Sequence, residues 1–227
     1  MIFSNFEEIF NPQSIDDIVF PDNESKELIY NLVNGDLPFP ISSGKCGVLL
    51  HGIPGTGKSA LAKLLPDAIE KARTGNQSNS NYIQVEPGNN GSVLIERLAK
   101  NVSFVPFGSF HYTILDEVDN LSLQAMNTLK SIMNKPQTIW LLTTNRYQSI
   151  EAGILSRCHC INFNAAPPES WLPLAHRMLA HAGVTGINDN DLIDVIKTGD
   201  GSAREITTAI AQVAIKAHRF NQPKAHS

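Results

Sequence analysis

Short apolar runs alternate with longer amphipathic segments over most of the chain. Four runs have the length of buried strands, namely Cys46–His51, Tyr82–Val85, Tyr112–Leu115 and Thr138–Thr143. Apolar residues recur at helical spacing in four further segments, for which we predict the helices Asn23–Asn34, Lys58–Lys71, Ser92–Asn101 and Ser122–Met133. We expect Pro66 to kink or end the second of these helices. Strands that alternate with helices predict an α/β fold, in which a parallel sheet carries helices on both faces.

The pattern changes after Phe163. A hinge-like joint, Ala165–Pro168, is followed by three segments with helical periodicity only, which are Glu169–Ala182, Asn188–Lys197 and Ala203–Arg219. We therefore predict an α/β domain over residues 1–165, a small α-helical domain over residues 166–220 and a tail over residues 221–227.

Composition narrows the class of protein. Hydrophobic residues make up 42% of the 227 residues and charged residues 18%, which is typical of a globular chain. No apolar run is long enough to cross a bilayer, and the first ten residues lack the order of a secretion signal. We therefore expect a cytoplasmic protein without membrane contact. The net charge of −4, without a Lys/Arg stripe, gives by itself no reason to expect nucleic-acid binding.

The three cysteines predict a structural role. Cys158 and Cys160 alternate with His159, so the two thiols are expected on one face of a strand. A metal site is the alternative, but the sequence offers no second ligand pair to complete it. Together with Cys46, they are predicted to be reduced thiols in a reducing compartment.

The segment Gly52–Ser59 carries the strongest chemical signal. It reads Gly-Ile-Pro-Gly-Thr-Gly-Lys-Ser between a predicted strand and a predicted helix, which matches the phosphate-binding loop. Backbone N–H groups and the helix N-terminus would surround the phosphates, Lys58 would reach the β- and γ-phosphates, and Ser59 would ligate Mg²⁺. A glycine-rich turn that binds nothing is the alternative. The pattern predicts ATP and Mg²⁺ as ligands, with binding residues Gly52, Ile53, Pro54, Gly55, Thr56, Gly57, Lys58, Ser59 and Ala60.

Two adjacent carboxylates follow the apolar strand Tyr112–Leu115. Asp116 and Glu117 would lie at the carboxyl end of that strand, the edge at which parallel sheets bind ligands. Asp116 is predicted to hold Mg²⁺ together with Ser59, and Glu117 to orient and deprotonate the attacking water. Asp119 receives no role from this pattern beyond capping the next turn.

The order of these motifs resembles the AAA+ module of P-loop NTPases. After the loop and the acidic strand comes Thr143-Thr144-Asn145, and the resemblance implies that Asn145 is sensor 1, which places the lytic water. Ser156-Arg157-Cys158 is similar to the arginine-finger motif of clamp-loader subunits such as replication factor C. The resemblance implies that Arg157 acts in trans, in the ATP site of a neighbouring subunit. The alternative is an arginine that caps a helix end.

Two further segments extend the resemblance over about Pro12 to Ala217. Gly201-Ser202-Ala203-Arg204 resembles sensor 2, in which Arg204 would contact the γ-phosphate from a helical lid. The helical domain is thus expected to be that lid. The opening segment resembles the part of the family that surrounds adenine, and this implies base contacts from Ile18 and Val19.

The resemblance implies an ATP hydrolase with its sites at the subunit interfaces of a homo-oligomer, and a clamp-loader-like role in DNA replication. Its implied partners are DNA and a sliding clamp or replicative helicase. The segment Gln84–Gly88 does not match the family's link between DNA contact and the catalytic glutamate, so coupling to DNA stays open. Because no collar domain follows the lid, we hypothesise a reduced relative from a phage or mobile element. Alternatives are a helicase-loader or transposition-type regulator acting on a protein ring, a scaffold that binds ATP without turnover, and adenylate-kinase-like phosphotransfer.

Overall fold

A five-stranded parallel sheet organises the protein. The computed structural model describes residues 6–41 and 44–221. The sheet order is β2-β3-β4-β1-β5, and every neighbouring pair is parallel. The strands are β1 (Gly47–His51), β2 (Ser80–Gln84), β3 (His111–Asp116), β4 (Thr138–Thr144) and β5 (Cys158–Asn162).

Helices lie in the connections between the strands and make up most of the carboxyl-terminal part that the structure describes. They are α1 (Phe6–Ile9), α2 (Asn23–Asn34), α3 (Lys58–Thr74), α4 (Ser92–Asn101), α5 (Leu123–Met133), α6 (Ala152–Leu155), α7 (Leu172–His181), α8 (Asp189–Lys197) and α9 (Ala203–Asn221). Short 3₁₀ turns cover Ile15–Asp17, Val118–Asn120, Tyr147–Ser149 and Pro168–Trp171.

Each face of the sheet has its own apolar core, because side chains alternate along the central strands. On β4, Trp140 and Leu142 pack with α4 and α5, whereas Ile139 and Leu141 pack with α2 and α3. All seven residues of β4 are buried, as expected for a central strand covered on both sides. The predicted α/β fold, with helices on both faces of a parallel sheet, is confirmed.

Pro66 was predicted to kink or end its helix, and the structure shows that it does not end it. Helix α3 runs through Pro66 to Thr74, and Pro66 is buried together with Leu65 and Ile69. Proline removes one backbone hydrogen bond from a helix, but most of the stability of a protein helix comes from packing of its apolar face. Burial of that face therefore carries α3 past the proline.

Smaller differences concern the ends of elements. Strand β2 covers Ser80–Gln84 and so begins earlier than the predicted Tyr82–Val85. The segment predicted as one helix from Glu169 is a 3₁₀ turn followed by α7. Helices α2 and α4 have the predicted bounds.

The helices after Pro167 enclose a third apolar core. Most of its members come from α7, α8 and α9, including Met178, Leu192 and Ile210, and Trp171 joins them from the 3₁₀ turn before α7. Phe10 and Val19 pack against the same core from the amino-terminal segment. The domain boundaries stay predictions, and the predicted tail 221–227 lies outside the described residues apart from Asn221.

The thiols lie in the core, as predicted. Cys46 and Cys158 are buried, Cys160 is partly exposed, and all three are free. Cys158 and Cys160 contact the same apolar cluster from β5. Among residues 6–41 and 44–221, no group of three or more His, Cys, Asp or Glu side chains could hold a metal ion. No helix within those ranges is long and apolar enough to cross a membrane.

Candidate functional site

One cavity of about 590 Å³ lies where the sheet's carboxyl edge meets the carboxyl-terminal helices. Residues of the α/β part and of the carboxyl-terminal helices line it, so the cavity lies between these two parts. Most of the predicted site residues are among its walls, which are Ile18, Val19, the loop residues 54–60, Asp116, Glu117, Asn145 and Arg204. Gly52, Ile53 and Arg157 do not line it.

Two glycines of the phosphate-binding loop have backbone conformations that residues with a side chain rarely adopt. Gly55 and Gly57 have φ angles of 82° and 101°, in the region that favours glycine. A Cβ at Gly55 would also overlap Ser202, at the turn before α9. Because Gly57 is the N-cap of α3 and offers no side chain to cap it, the first N–H groups of α3 stay available at the cavity wall. Free N–H groups at a helix N-terminus favour an anion there.

Lys58 is a buried cation at this wall. Its side chain donates to the carbonyl oxygens of Gly52 (3.0 Å) and Ile53 (2.6 Å), and the residue is 6% exposed. Burial lowers the pKa of Lys58 to about 8, although Asp116 and the acidic residues after it act in the opposite direction. Within the described part of the chain Lys58 forms no salt bridge. A buried cation without a paired anion marks this wall as a place for a negatively charged ligand.

The Asp116 carboxylate is held by three hydroxyl groups. Oδ1 accepts from Ser59 Oγ at 2.7 Å and from Thr143 Oγ1, and Oδ2 accepts from Tyr82 at 2.8 Å. Ser59 and Asp116, the two predicted Mg²⁺ ligands, therefore lie side by side. Carboxylate and hydroxyl oxygens are ligands that a hard cation prefers, so the pair fits Mg²⁺ held jointly with phosphate oxygens.

Tyr82 is a site residue that the sequence motifs missed. It lies on the edge strand β2, in register with Ile114, and the Lys63 ammonium stands 4.0 Å from its ring centroid. Burial and the bond to Asp116 raise the pKa of Tyr82 to about 12, so the phenol remains a donor at neutral pH. The sequence signal, in hindsight, is an aromatic residue with a hydroxyl group on the strand beside the acidic strand.

Glu117 adopts an unusual backbone conformation for its residue type. Its φ of 60° is left-handed, and its N–H donates to Thr143 Oγ1 at 3.0 Å. Such a conformation costs roughly 1–3 kcal/mol and is concentrated at functional sites. Its carboxylate lines the cavity, and Oε2 accepts from Asn120 at 3.3 Å.

Two polar side chains complete the cavity from other elements. Asn145 follows β4 and is exposed at the cavity wall. Arg204 lies in the first turn of α9, whose start is tied to the loop because Ala203 N donates to Gly55 O at 2.8 Å. Helix α9 thus carries Arg204 to the same cavity as Lys58.

Arg157 lies elsewhere, at the amino end of β5. Its Nε donates to Asn134 Oδ1 at 2.8 Å, and its Nη1 donates to Gly153 O at 2.7 Å. The second bond is the helix-end contact of the alternative interpretation. A role in trans requires a second chain and stays a prediction.

Known proteins are similar in sequence to most of the chain. A family model described as DNA polymerase III, delta subunit, matches residues 45–167, which is more than half of the chain. Replication factor C small subunit 2 of Pyrobaculum islandicum is 26% identical over 209 residues, covering 89% of this chain and 61% of the relative. Replication factor C small subunit of Natronomonas pharaonis is 24% identical, covering 92% of this chain and 62% of the relative. The chain thus spans about three fifths of the length of these curated relatives.

Solved structures share the fold. RuvB from Thermotoga maritima superposes with a TM-score of 0.67 at 16% identity, covering 93% of this chain and 69% of that one. PCH-2 of C. elegans superposes with a TM-score of 0.64 at 15% identity, covering 96% and 72%. The chain therefore belongs to the family described as DNA polymerase III, delta subunit.

Proposed function

We propose that this chain binds ATP with Mg²⁺ in the 590 Å³ cavity and hydrolyses it at the subunit interfaces of a homo-oligomer, as a clamp-loader-like factor in DNA replication. One observation carries the proposal. A buried lysine, two adjacent acids, an exposed amide and an arginine, each predicted from a separate motif, line a single cavity.

The cavity suits a nucleoside triphosphate in size and in the distribution of polar groups. Its volume falls within the roughly 300–1,000 Å³ usual for small-molecule sites. Phosphates would occupy the end formed by the glycine-rich loop and Lys58, where N–H groups and a buried cation favour negative charge. The base would lie against the apolar residues of the cavity, Ile18, Val19, Trp171 and Leu174.

Ser59 and Asp116 would hold Mg²⁺. The ion, when bound, neutralises charge on the phosphates and orients them. Tyr82 and Thr143 keep the Asp116 carboxylate in place by donating hydrogen bonds to it. The chain would thus offer Mg²⁺ a carboxylate, that of Asp116, whose position is fixed by hydrogen bonds.

Hydrolysis needs a base, a second polar group for the water and positive charge near the departing phosphate. Glu117 would accept the proton of the attacking water, and Asn145 would hold that water by its amide. Arg204 would contact the γ-phosphate from α9. Arg157 of a neighbouring subunit would add charge in trans, an effect worth about 10³–10⁵ in rate in related chemistry.

The replication role draws on the relatives, whose names describe replication factor C small subunits. The family to which the chain belongs also takes its description from a DNA polymerase subunit. A net charge of −4 leads us to expect weak and salt-sensitive DNA binding.

The test is the ATPase rate per chain against protein concentration, with and without primed DNA. We expect the rate to rise with concentration, Arg157→Ala to lower it by about 10³, and primed DNA to stimulate it. Mixing Arg157→Ala with Glu117→Gln should restore activity, since each variant supplies the group that its neighbour lacks. Arg97→Ala, which removes an exposed arginine of α4, is the matched control.

Each contrary result removes a defined part of the proposal. A rate per chain that is independent of concentration and of Arg157 would reject the shared site and leave an ATPase acting alone. Absence of hydrolysis at every concentration, with and without DNA, would reject the enzymatic function itself.

A further inference from the structure

One buried carboxylate joins the turn after β3 to the turn after β4. The side chain of Asp119 is 5% exposed. Its Oδ1 accepts from Thr144 Oγ1 at 2.9 Å, and its Oδ2 accepts from Arg146 Nε at 2.8 Å. These two donors flank Asn145 in sequence. Asp119 therefore holds the side chains of the residues on both sides of the proposed water-binding amide, without lining the cavity itself.

A second branch of the same network reaches Glu117. Arg146 Nη2 donates to Asn120 Oδ1 at 3.3 Å and to the backbone oxygen of Asp119 at 3.4 Å. The amide of Asn120 then donates to Glu117 Oε2 at 3.3 Å and to Val85 O at 3.0 Å. A continuous set of hydrogen bonds thus runs from the flanks of Asn145, through Asp119 and Arg146, to the Glu117 carboxylate.

We propose that Asp119, with Arg146, is a positioning unit that fixes Asn145 and Glu117 relative to one another. This inference rests on the proposed ATP hydrolysis, in which both side chains must reach one water molecule. A proton acceptor works only within hydrogen-bond distance of the proton that it removes. Small displacements of such groups lower rates by as much as about 10²-fold.

A purely stabilising ion pair is the competing explanation. The Arg146 side chain is 63% exposed, and pairs with an exposed member contribute little to stability. That explanation leads us to expect a small change in melting temperature and no change in turnover. The positioning role instead leads us to expect a large fall in kcat, with the apparent affinity for ATP nearly unchanged.

The substitutions separate the two explanations. Asp119→Asn keeps the shape of the side chain and an acceptor for Thr144, but it loses the charge that pairs with Arg146. Arg146→Ala removes an exposed side chain and leaves the folded core intact, and Arg146→Lys retains the charge. Glu70→Gln is the matched control, because Glu70 is a hydrogen-bonded carboxylate, 1% exposed, that does not line the cavity.

The experiment measures kcat and KM for ATP in each variant, together with ATP binding by intrinsic tryptophan fluorescence, since Trp171 lines the cavity. We expect Asp119→Asn and Arg146→Ala each to lower kcat by about 10- to 100-fold. The double variant should be no slower than the slower single variant, because members of one unit are not additive. Arg146→Lys should recover part of the rate, and Glu70→Gln should retain the wild-type kcat.

Several results would overturn the inference. One is an unchanged kcat in Asp119→Asn or Arg146→Ala, another is a pair of single effects that multiply in the double variant, and a third is a loss of ATP binding equal to the loss of kcat. With an active wild-type protein, each of these leaves the proposed function standing. A wild-type protein without ATPase activity would overturn both.

Discussion

The two ends of the sheet each bury a carboxylate among hydroxyl donors, yet only one of these carboxylates lines the cavity. At the amino end, Glu70 accepts from Ser109 N, Ser109 Oγ, Tyr112 and Thr74 at distances of 2.7 to 3.2 Å. At the carboxyl end, Asp116 accepts from three hydroxyls in a similar way. The hydrogen bonding alone does not distinguish structure from function.

The difference lies in what surrounds each carboxylate. Glu70 does not line the 590 Å³ cavity, whereas Asp116 lines it together with a buried lysine and a strained glutamate. Burial raises the pKa of Glu70, but the hydrogen bonds from Ser109, Tyr112 and Thr74 outweigh it and lower the pKa overall. The fold thus favours the charge of Glu70 and disfavours that of Lys58, whose pKa falls to about 8 because of burial. A charge held at the expense of stability, next to open volume, indicates a binding site.

Replacing the buried lysine tests this difference most strongly. Lys58→Met should weaken ATP binding by at least ~100-fold, the equivalent of about 2.7 kcal/mol. It should also stabilise the ligand-free protein at pH 7 by about 1–2 kcal/mol, because the folded state then buries no ammonium at position 58. The readouts are intrinsic tryptophan fluorescence on ATP titration and denaturant unfolding. Lys71→Met, an exposed position of the same helix, is the control.

The pH dependence sharpens the Lys58 prediction. The folded pKa of about 8 lies below the ordinary value of 10.5, so the unfolded state binds more protons between these values. The penalty for burying the charge is fully present below pH 8 and disappears as the pH approaches 10.5. The stability advantage of Lys58→Met should shrink over that window. An advantage that stays constant, or ATP binding equal to that of the wild type, would contradict the assignment.

Tyr82→Phe removes one of the three donors to Asp116 and keeps the ring beside Lys63. We expect hydrolysis to fall about 3- to 10-fold and the Mg²⁺ concentration for half-maximal rate to rise, since a typical hydrogen bond has a net contribution of roughly 0.5–1.5 kcal/mol. Tyr30→Phe, which removes a hydroxyl from Asp16 away from the cavity, serves as the control. Equal rates and equal Mg²⁺ dependence in Tyr82→Phe and the wild type would show that Tyr82 has no role at the site.

We expect the smallest effect on activity from a substitution at the amino end of the sheet, where Glu70 lies. Glu70→Gln should leave ATP hydrolysis unchanged and lower the free energy of unfolding at pH 7 by about 1–3 kcal/mol, because a buried network loses its ionised acceptor. Since the folded pKa of Glu70 lies below its ordinary 4.5, its contribution is complete above pH 4.5 and is lost as the pH falls through the folded value. Unfolding at pH 7 and pH 3 measures this. A loss of ATPase rate in this variant would erase the contrast between the two ends.

The sequence was sufficient for groups that belong to local motifs. The loop at 52–59 and the pair Asp116–Glu117 could be predicted because strand, turn and helix follow one another in the chain. Asn145 and Arg204 required the family resemblance, and the structure brings both to the cavity.

The remaining features depend on contacts between distant segments. Tyr82 reaches Asp116 only because β2 pairs with β3 in one particular register. Asp119 meets Thr144 and Arg146, 25 and 27 residues away, through the neighbouring strand β4. Helix α3 continues past Pro66 because its apolar face is buried, and local helix propensity does not predict that burial. A trans role for Arg157 lies beyond any single chain.

We propose that the carboxyl edge of the sheet and the carboxyl-terminal helices form one site that hydrolyses ATP. The most direct measurement compares wild type and Glu117→Gln, recording ATP binding by intrinsic tryptophan fluorescence and hydrolysis by phosphate release. We expect binding within about 3-fold of the wild type and hydrolysis lower by about 10²–10⁴, the contribution of a general base. Hydrolysis by Glu117→Gln at the wild-type rate would contradict the claim, because the base would then lie elsewhere.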